Sequence, residues 1–373
     1  MKHIGVLLPR STDYPAIAFD LLDGIRLSLS EAGITEYKLV TENIGFGEDS
    51  SLNYAKAEKM ILQDDVCMII CYAGNLNAEP LYPLALSSGI PFLFPDPGMH
   101  FPEANPQENC YHISLQGTLC AANVGRLAAA AGDRLLMATS FYDGGYRSPY
   151  ALVKAAEENG AAVAGNYVSA YRISEFTISP YLEQIAARQA TVVGVCFSSY
   201  LADLFMKELK AAGAHAVSLP FYCAPYLAEE QLLSGIDFPG GSFRAVVPWC
   251  SSVENMAQDR FRNAVARAKN KKANIFHLLG WEAGLLSAKL LRDPGSPLKG
   301  WQYESPRGTV AIHPETHHTY ASVYDVSIVP DAAGKCSLQL NDTISVSDRD
   351  HLTHMLDVPQ GTVSSWKNNY FCI

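Results

Sequence analysis

Short aliphatic and β-branched runs alternate along this chain with longer stretches whose apolar positions recur every three or four residues. Val6-Leu7-Leu8 is followed by Ile17, Leu21, Ile25, Leu29 and Ala32 at helical spacing, and Gly33 stands where a left-handed cap closes such a helix. Tyr37 to Thr41 reads as a second strand, and a polar loop from Gly45 to Ser51 leads into a helix ending near Leu62. The strand Val66 to Cys71, a helix to Ser88 and the strand Pro91 to Phe94 complete four strand–helix units within the first hundred residues.

After an extended segment from Tyr111 to Leu115 and an Ala-rich helix, the theme restarts at Leu135-Leu136-Met137-Ala138. A helix over 150–159 closes at Gly160, the run Ala161 to Ala170 follows, and Val192 to Cys196 precedes a helix from Tyr200 to Ala212 capped by Gly213. Phe243 to Pro248 is another strand. Helices are expected around Ala257 to Ala268 and from Ile275 to Leu291, with late strands at Gly308 to Ile312 and Ala321 to Val329. No Pro/Gly/Ser linker divides the two halves, so the crossings between them are expected to be short and multiple.

Composition bounds what such a chain does. With 373 residues, 48% apolar and 18% charged, it exceeds one small module, buries a sizeable core and excludes wholesale disorder. A net charge of −10 argues against nucleic acid as a partner, since phosphate contacts need clustered Lys and Arg. The basic run Arg267 to Lys272 reads as a solvated helix end. No apolar stretch approaches the roughly 20 residues of a membrane span, so no membrane insertion is expected. Met1 to Arg10 is too short for the apolar region of a signal peptide, and nine scattered cysteines, an odd number, read as reduced core residues. Both point to the cytoplasm; a periplasmic location would require a leader trimmed from the chain.

Alternating strands and helices make parallel sheets covered on both faces, and ligands sit beyond the carboxyl ends of such strands. The loops there carry aromatics, hydroxyls and amides with few charges: Pro9 to Tyr14, Tyr72 to Asn75, Pro95 to Gly98, Tyr142 to Arg147, Ser198 to Tyr200 and Trp249 to Ser252. Such linings suit a small molecule. Catalytic and cofactor signatures (Gly-x-Ser-x-Gly, Gly-x-Gly-x-x-Gly, a phosphate loop, His-Glu-x-x-His) are absent, so neither an enzyme nor a cofactor is expected. His313, His317 and His318 cluster in sequence, but adjacent residues of a strand face opposite ways, which disfavours a metal site.

Several segments carry a resemblance: Ile4-Gly5-Val6-Leu7-Leu8-Pro9, Asp23-Gly24-Ile25-Arg26-Leu27, Glu31-Ala32-Gly33 and Ser87-Ser88-Gly89-Ile90-Pro91. In this order they resemble the type I periplasmic-binding-protein family, in its branched-chain amino acid, amide and urea receptor group. Cys71-Tyr72, Phe94-Pro95-Asp96-Pro97, Val247-Pro248-Trp249-Cys250-Ser251-Ser252, Arg307-Gly308-Thr309-Val310 and Thr316-His317-His318-Thr319-Tyr320 are similar to the amide sensor and urea receptors. The resemblance implies an α/β two-lobed Venus-flytrap fold, each lobe a mostly parallel sheet with helices on both faces, with three hinge crossovers near residues 116, 248 and 325. Residues 1–115 and 250–325 would form one lobe, 116–249 and 326–373 the other.

By the same resemblance, ligand contacts fall on Tyr72, Asn75, Asp96 and Gly98 of the first lobe and on Tyr146 and Tyr200 of the second. Arg10, Ser11 and Trp249 join them as candidates from the strand-end loops. Asp96 stands where relatives place Thr or Ala, and Ala224 or Pro225 stands where amino acid receptors carry an acid. Asp96 is then either the acceptor for a ligand ammonium or amide N–H, or a turn cap between its two prolines; Arg10 or Arg147 would offer a fork to a carboxylate. Two functions remain open at this point. One is a non-catalytic receptor that closes on a small polar ligand, such as an amino acid or short amide, and delivers it to an ABC permease. The other is a cytoplasmic sensor that regulates a protein partner.

Overall fold

The computed structural model describes residues 1–74, 77–140, 147–187 and 189–357. Asn75 and Tyr146 therefore lie outside the described residues. The first lobe is built on β1 (Lys2–Leu8), β2 (Tyr37–Asn43), β3 (Val66–Cys71), β4 (Phe92–Asp96) and β5 (Cys110–Ser114), all parallel, in the order β2-β1-β3-β4-β5. The helices α1 (Ile17–Glu31), α2 (Ser50–Gln63) and α3 (Tyr82–Ser88) connect them. Burial explains the lack of alternation in β3 to β5: nearly every residue of these strands is covered on both faces.

The second lobe repeats the plan. Its sheet runs β7-β6-β8-β9-β10 in parallel and continues antiparallel into β14 and β15. These strands are β6 (Arg134–Ser140), β7 (Ala162–Ser169), β8 (Val192–Cys196), β9 (Phe221–Cys223), β10 (Phe243–Val247), β14 (Val323–Pro330) and β15 (Cys336–Ile344). They are joined by α5 (Arg147–Glu158), α6 (Ser179–Ala186), α7 (Ser199–Ala212) and α8 (Glu230–Leu233), while α4 (Gly117–Ala131) leads in from the first lobe. The chain then returns to lobe one through α9 (Met256–Lys269), α10 (Ile275–Arg292) and a small antiparallel sheet, β11 (Gln302–Ser305), β12 (Gly308–Ile312) and β13 (Thr319–Tyr320). It passes between the two large sheets at 115–116, 248–255 and 321–322.

Residues 326–373, assigned above to the second lobe, divide in their described part. β14 and β15 belong to its sheet, whereas α11 (Asp348–Leu356) packs His351 against His313 and Tyr320 of lobe one. Its other anchor is His354 Nε2, 2.7 Å from Thr118 Oγ1 at the start of α4. A capping box between Ser347 and Asp350 starts this helix.

Glycines let helices touch backbone to backbone. A Cβ on Gly280 of α10 would lie 2.9 Å from the carbonyl carbon of Leu21 in α1, and one on Gly24 would lie 2.8 Å from the Trp281 nitrogen. In the second lobe Gly125 of α4 meets α5 the same way, 3.0 Å from Leu152 C. Close contact of this kind brings α10 over α1 and fixes the inner layer of each lobe.

A buried polar network sits beside two of the crossings. Arg307, fully buried, donates to both oxygens of Glu282 in α10 through Nε at 2.7 Å and Nη2 at 3.0 Å. Ser305 Oγ donates to the same carboxylate at 2.6 Å. Gln116 Oε1 accepts from Arg307 Nη1 at 3.4 Å and from the Ala321 N–H at 2.7 Å, so the first and third crossings meet at one amide.

Candidate ligand-binding cleft

In both lobes the strand order reverses beside the first strand, between β1 and β3 and between β6 and β8. Loops leaving these strands diverge there and open a crevice at their carboxyl ends. The first such loop holds Arg10 and Ser11. Arg10 is exposed, its guanidinium 4.6 Å above the Phe46 ring and its N–H on the Gly45 carbonyl at 2.7 Å. Ser11 is buried, and its Oγ accepts the Tyr14 N–H at 3.0 Å. Tyr72, fully buried, follows β3 and donates its N–H to the Leu7 carbonyl at 3.1 Å.

Asp96 ends β4 in a buried position, where its Oδ1 accepts the Gly98 N–H at 2.6 Å. This is the turn-capping arrangement. Gly98 has φ +80, and a Cβ there would meet Ser114 Oγ at 2.6 Å and the Gln116 Cα at 2.8 Å; no other residue fits without displacing the crossing. Its carbonyl accepts the Thr118 N–H at 2.9 Å, tying the loop after β4 to the start of α4.

In the second lobe, Tyr200 is half-buried in the first turn of α7 and donates its hydroxyl to the Tyr171 carbonyl at 2.6 Å. Trp249 is buried at the second crossing, its Nε1 on Gln258 Oε1 at 2.9 Å and its ring edge-on to Phe261 at 5.9 Å. Arg147 departs from the expected carboxylate fork. It is buried, its Nη2 donates to the carbonyls of His354, Met355 and Asp357 at the end of α11, and its guanidinium stacks 4.6 Å from the Phe101 ring. Orphan carbonyls at a helix end attract such a cation.

The basic run is the exposed end of α9, as its pattern suggests, and two of its lysines also reach acids of α1. Lys269 pairs with Asp23 at 2.7 Å and Lys271 with Asp20 at 2.5 Å, pinning the α9–α10 loop to α1. Asp20, Asp23 and His277 form the one group of potential metal ligands among the described residues, and these two lysines neutralise its carboxylates. His277 is held down to about 4 by burial, which outweighs the upward pull of Asp20. The three late histidines point to different partners: His318 stacks on His112 at 4.3 Å, His317 on Tyr111 at 5.4 Å, and His313 lies beside His351 at 5.5 Å. All eight cysteines among the described residues are free thiols.

Two features of the interlobe face escape the sequence. Asn274, the N-cap of α10, donates through Nδ2 to Asp20 at 2.7 Å in its own lobe and to Gln231 Oε1 of the other lobe at 2.7 Å. Glu229, at the N-cap of α8, is 5% exposed, and burial pushes its carboxyl up to about 7. It lines a cavity of about 20 Å³ between the lobes with Pro97, Met99, Leu115, Trp249 and Ile275. Ala-Glu-Glu-Gln at a helix start reads as surface, and only the cap geometry of the folded chain turns its first glutamate inward.

A family model described as "Periplasmic binding protein" matches residues 3–334. The chain belongs to the periplasmic binding protein family. Its members bind solutes and do not transform them. Solved structures of the same fold include an ABC transporter substrate-binding protein from Sphaerobacter thermophilus, 19% identical with TM-score 0.77 over 92% of this chain and 98% of that one. A solute-binding protein from R. palustris in complex with benzoate is 18% identical, TM-score 0.74, over 93% and 98%. A branched-chain amino acid ABC transporter protein from Rhodopseudomonas palustris is 13% identical, TM-score 0.73, again over 93% and 98%. A comparison with curated proteins gives no match.

Proposed function

We propose that this periplasmic binding protein is the solute-binding component of an ABC transporter, and that its two lobes close on a small polar solute, an amino acid, a short amide or a related molecule. The observation that carries this reading is the convergence of the loops after β4, β9 and β10 on one interlobe cavity beside the hinge. Tyr72, Asp96, Gly98, Ser11 and Tyr200 would line the crevice on either side, with Asn75 and Tyr146 as further contacts expected from the family. A permease is the protein partner in this reading, because the related solved structures are transporter components. Closure serves delivery physically: a ligand that binds only the closed form shifts the lobe equilibrium by its differential affinity, and a permease can read the closed shape.

The test is thermal unfolding against a panel of amino acids, short amides, urea, benzoate and 4-hydroxybenzoate, followed by solution scattering with the ligand that shifts the midpoint. A specific ligand at a hundredfold excess over its Kd adds about 2.7 kcal/mol to stability, and its complex is expected to be at least as compact as the free protein. A ligand that stabilises without engaging the cleft, shown by an unchanged affinity in a Tyr72→Ala variant, would overturn the reading.

A further inference from the structure

The hinge end of the cleft holds an acid in apolar surroundings. Glu229 Oε1 accepts the Gln231 N–H at 3.3 Å and so caps α8. Its Oε2 is buried and accepts no hydrogen bond from any described residue. The cavity it lines is otherwise walled by Glu230, whose carboxylate is held by Ser251, and by apolar side chains, and the one indole N–H there, that of Trp249, is already on Gln258. The charged groups facing Glu229 are both acids: Glu230 on its own helix and Asp20 of α1, the latter paired with Lys271. Together with burial they raise its carboxyl to about 7, against the pull of the α8 amides.

A buried acceptor without a donor is unfavourable, and these walls have no donor to give. The donor must come with whatever enters the cleft. At about 20 Å³ the cavity has room for one water-sized group, which is the size of a terminal ammonium or amide nitrogen and far below that of a ring. A carboxylate in the same place would meet both Glu229 and Glu230. We infer that Glu229 is the residue that sets ligand class here, accepting a hydrogen bond from an ammonium or amide NH2 at the hinge end of the cleft and rejecting simple carboxylic acids. This rests on the cleft reading above and narrows it to nitrogen-bearing solutes.

The test is titration calorimetry of the full chain and of Glu229→Gln at pH 6 and pH 8, with amino acids, primary amides, benzoate and acetate as probes. The wild type is expected to bind an amino acid or amide and neither acid. For an ammonium-bearing ligand the affinity rises about tenfold from pH 6 to pH 8, because a carboxyl titrating near 7 passes from about one-tenth to about nine-tenths ionised. In Glu229→Gln, whose fold is checked by circular dichroism, that rise disappears and the affinity at pH 8 falls at least tenfold. Wild-type binding of benzoate or acetate would overturn the inference and leave the cleft reading standing, as would unchanged affinity and pH profile in the folded variant. Failure of every probe to bind the wild type would remove the cleft reading and this inference with it.

Discussion

Acidification from pH 7.5 to pH 5 is expected to destabilise this protein strongly through its histidines. Burial holds His100 and His351 down to about 4 and His112 and His354 to about 3, and His318 is also lowered. Repulsion from Arg147 adds to burial at His100 and His354. In the folded protein these rings stay neutral at pH 5, while in the unfolded chain they protonate near 6.5. The unfolded state therefore binds more protons, so the stability is fully present above about pH 6.5 and is lost as pH falls towards 3–4. At pH 5, about 1.5 units below the unfolded value, each ring is worth about 2 kcal/mol, and with His277, also held near 4, the five with stated values reach about 10 kcal/mol. A domain's whole stability is about 5–15 kcal/mol, so acid alone should bring it close to unfolding. Guanidinium unfolding at half-unit steps from pH 7.5 to 5 measures the slope, and a His351→Gln/His354→Gln variant should lose about a third of it. An unfolding free energy that does not change over this range, or a double variant that keeps the full slope, would refute the reasoning.

Two further outcomes follow from the interior. Arg307→Met leaves the Glu282 carboxylate buried without its cation and should cost about 3–5 kcal/mol in chemical unfolding, with most of the loss recovered in Arg307→Met/Glu282→Leu; a double variant no better than the single one would contradict this. Gly280→Ala drives a methyl into the Leu21 carbonyl and should cost at least about 1–3 kcal/mol, whereas Gly235→Ala, whose nearest contact is 3.6 Å away, should stay within about 0.5 kcal/mol; equal midpoints for the two would refute the close-packing account.

The architecture was legible because its periodicities are strong. Continuous apolar runs at Val66 to Cys71 and Val192 to Cys196 are strands covered on both faces, and the helices after them begin and end within a few residues of where the pattern and the cap glycines put them. β15 was missed: Cys336–Ile344 is an edge strand with mostly half-exposed residues, so no hydrophobic alternation marks it. α11 was missed for a related reason, since it docks through histidines and leaves a weak apolar stripe. The strand-end loops of the first lobe were recognisable from topology, and Arg10, Ser11, Tyr72 and Gly98 lie in them. Glu229, Asn274 and Gln231 were not, because their roles depend on how two lobes meet, and no local pattern encodes a contact between residues 43 positions apart. Arg147 misled because sequence shows a cation near a strand end but not the α11 carbonyls, over 200 positions away, that occupy it.

The amide of Gln116 joins the first and third crossings to Arg307, and through it to Glu282 on α10. Two of the three strands of the joint are thereby welded to one lobe up to their last residue. The compliant part must then begin beyond them, at the α4 and β14 ends, with the second crossing bending alongside. In the closure proposed above, the second lobe would swing about an off-centre axle rather than fold symmetrically. Small changes near Gly117 or Val323 would alter the arc of that swing, while equal changes a few residues earlier would be absorbed by the weld.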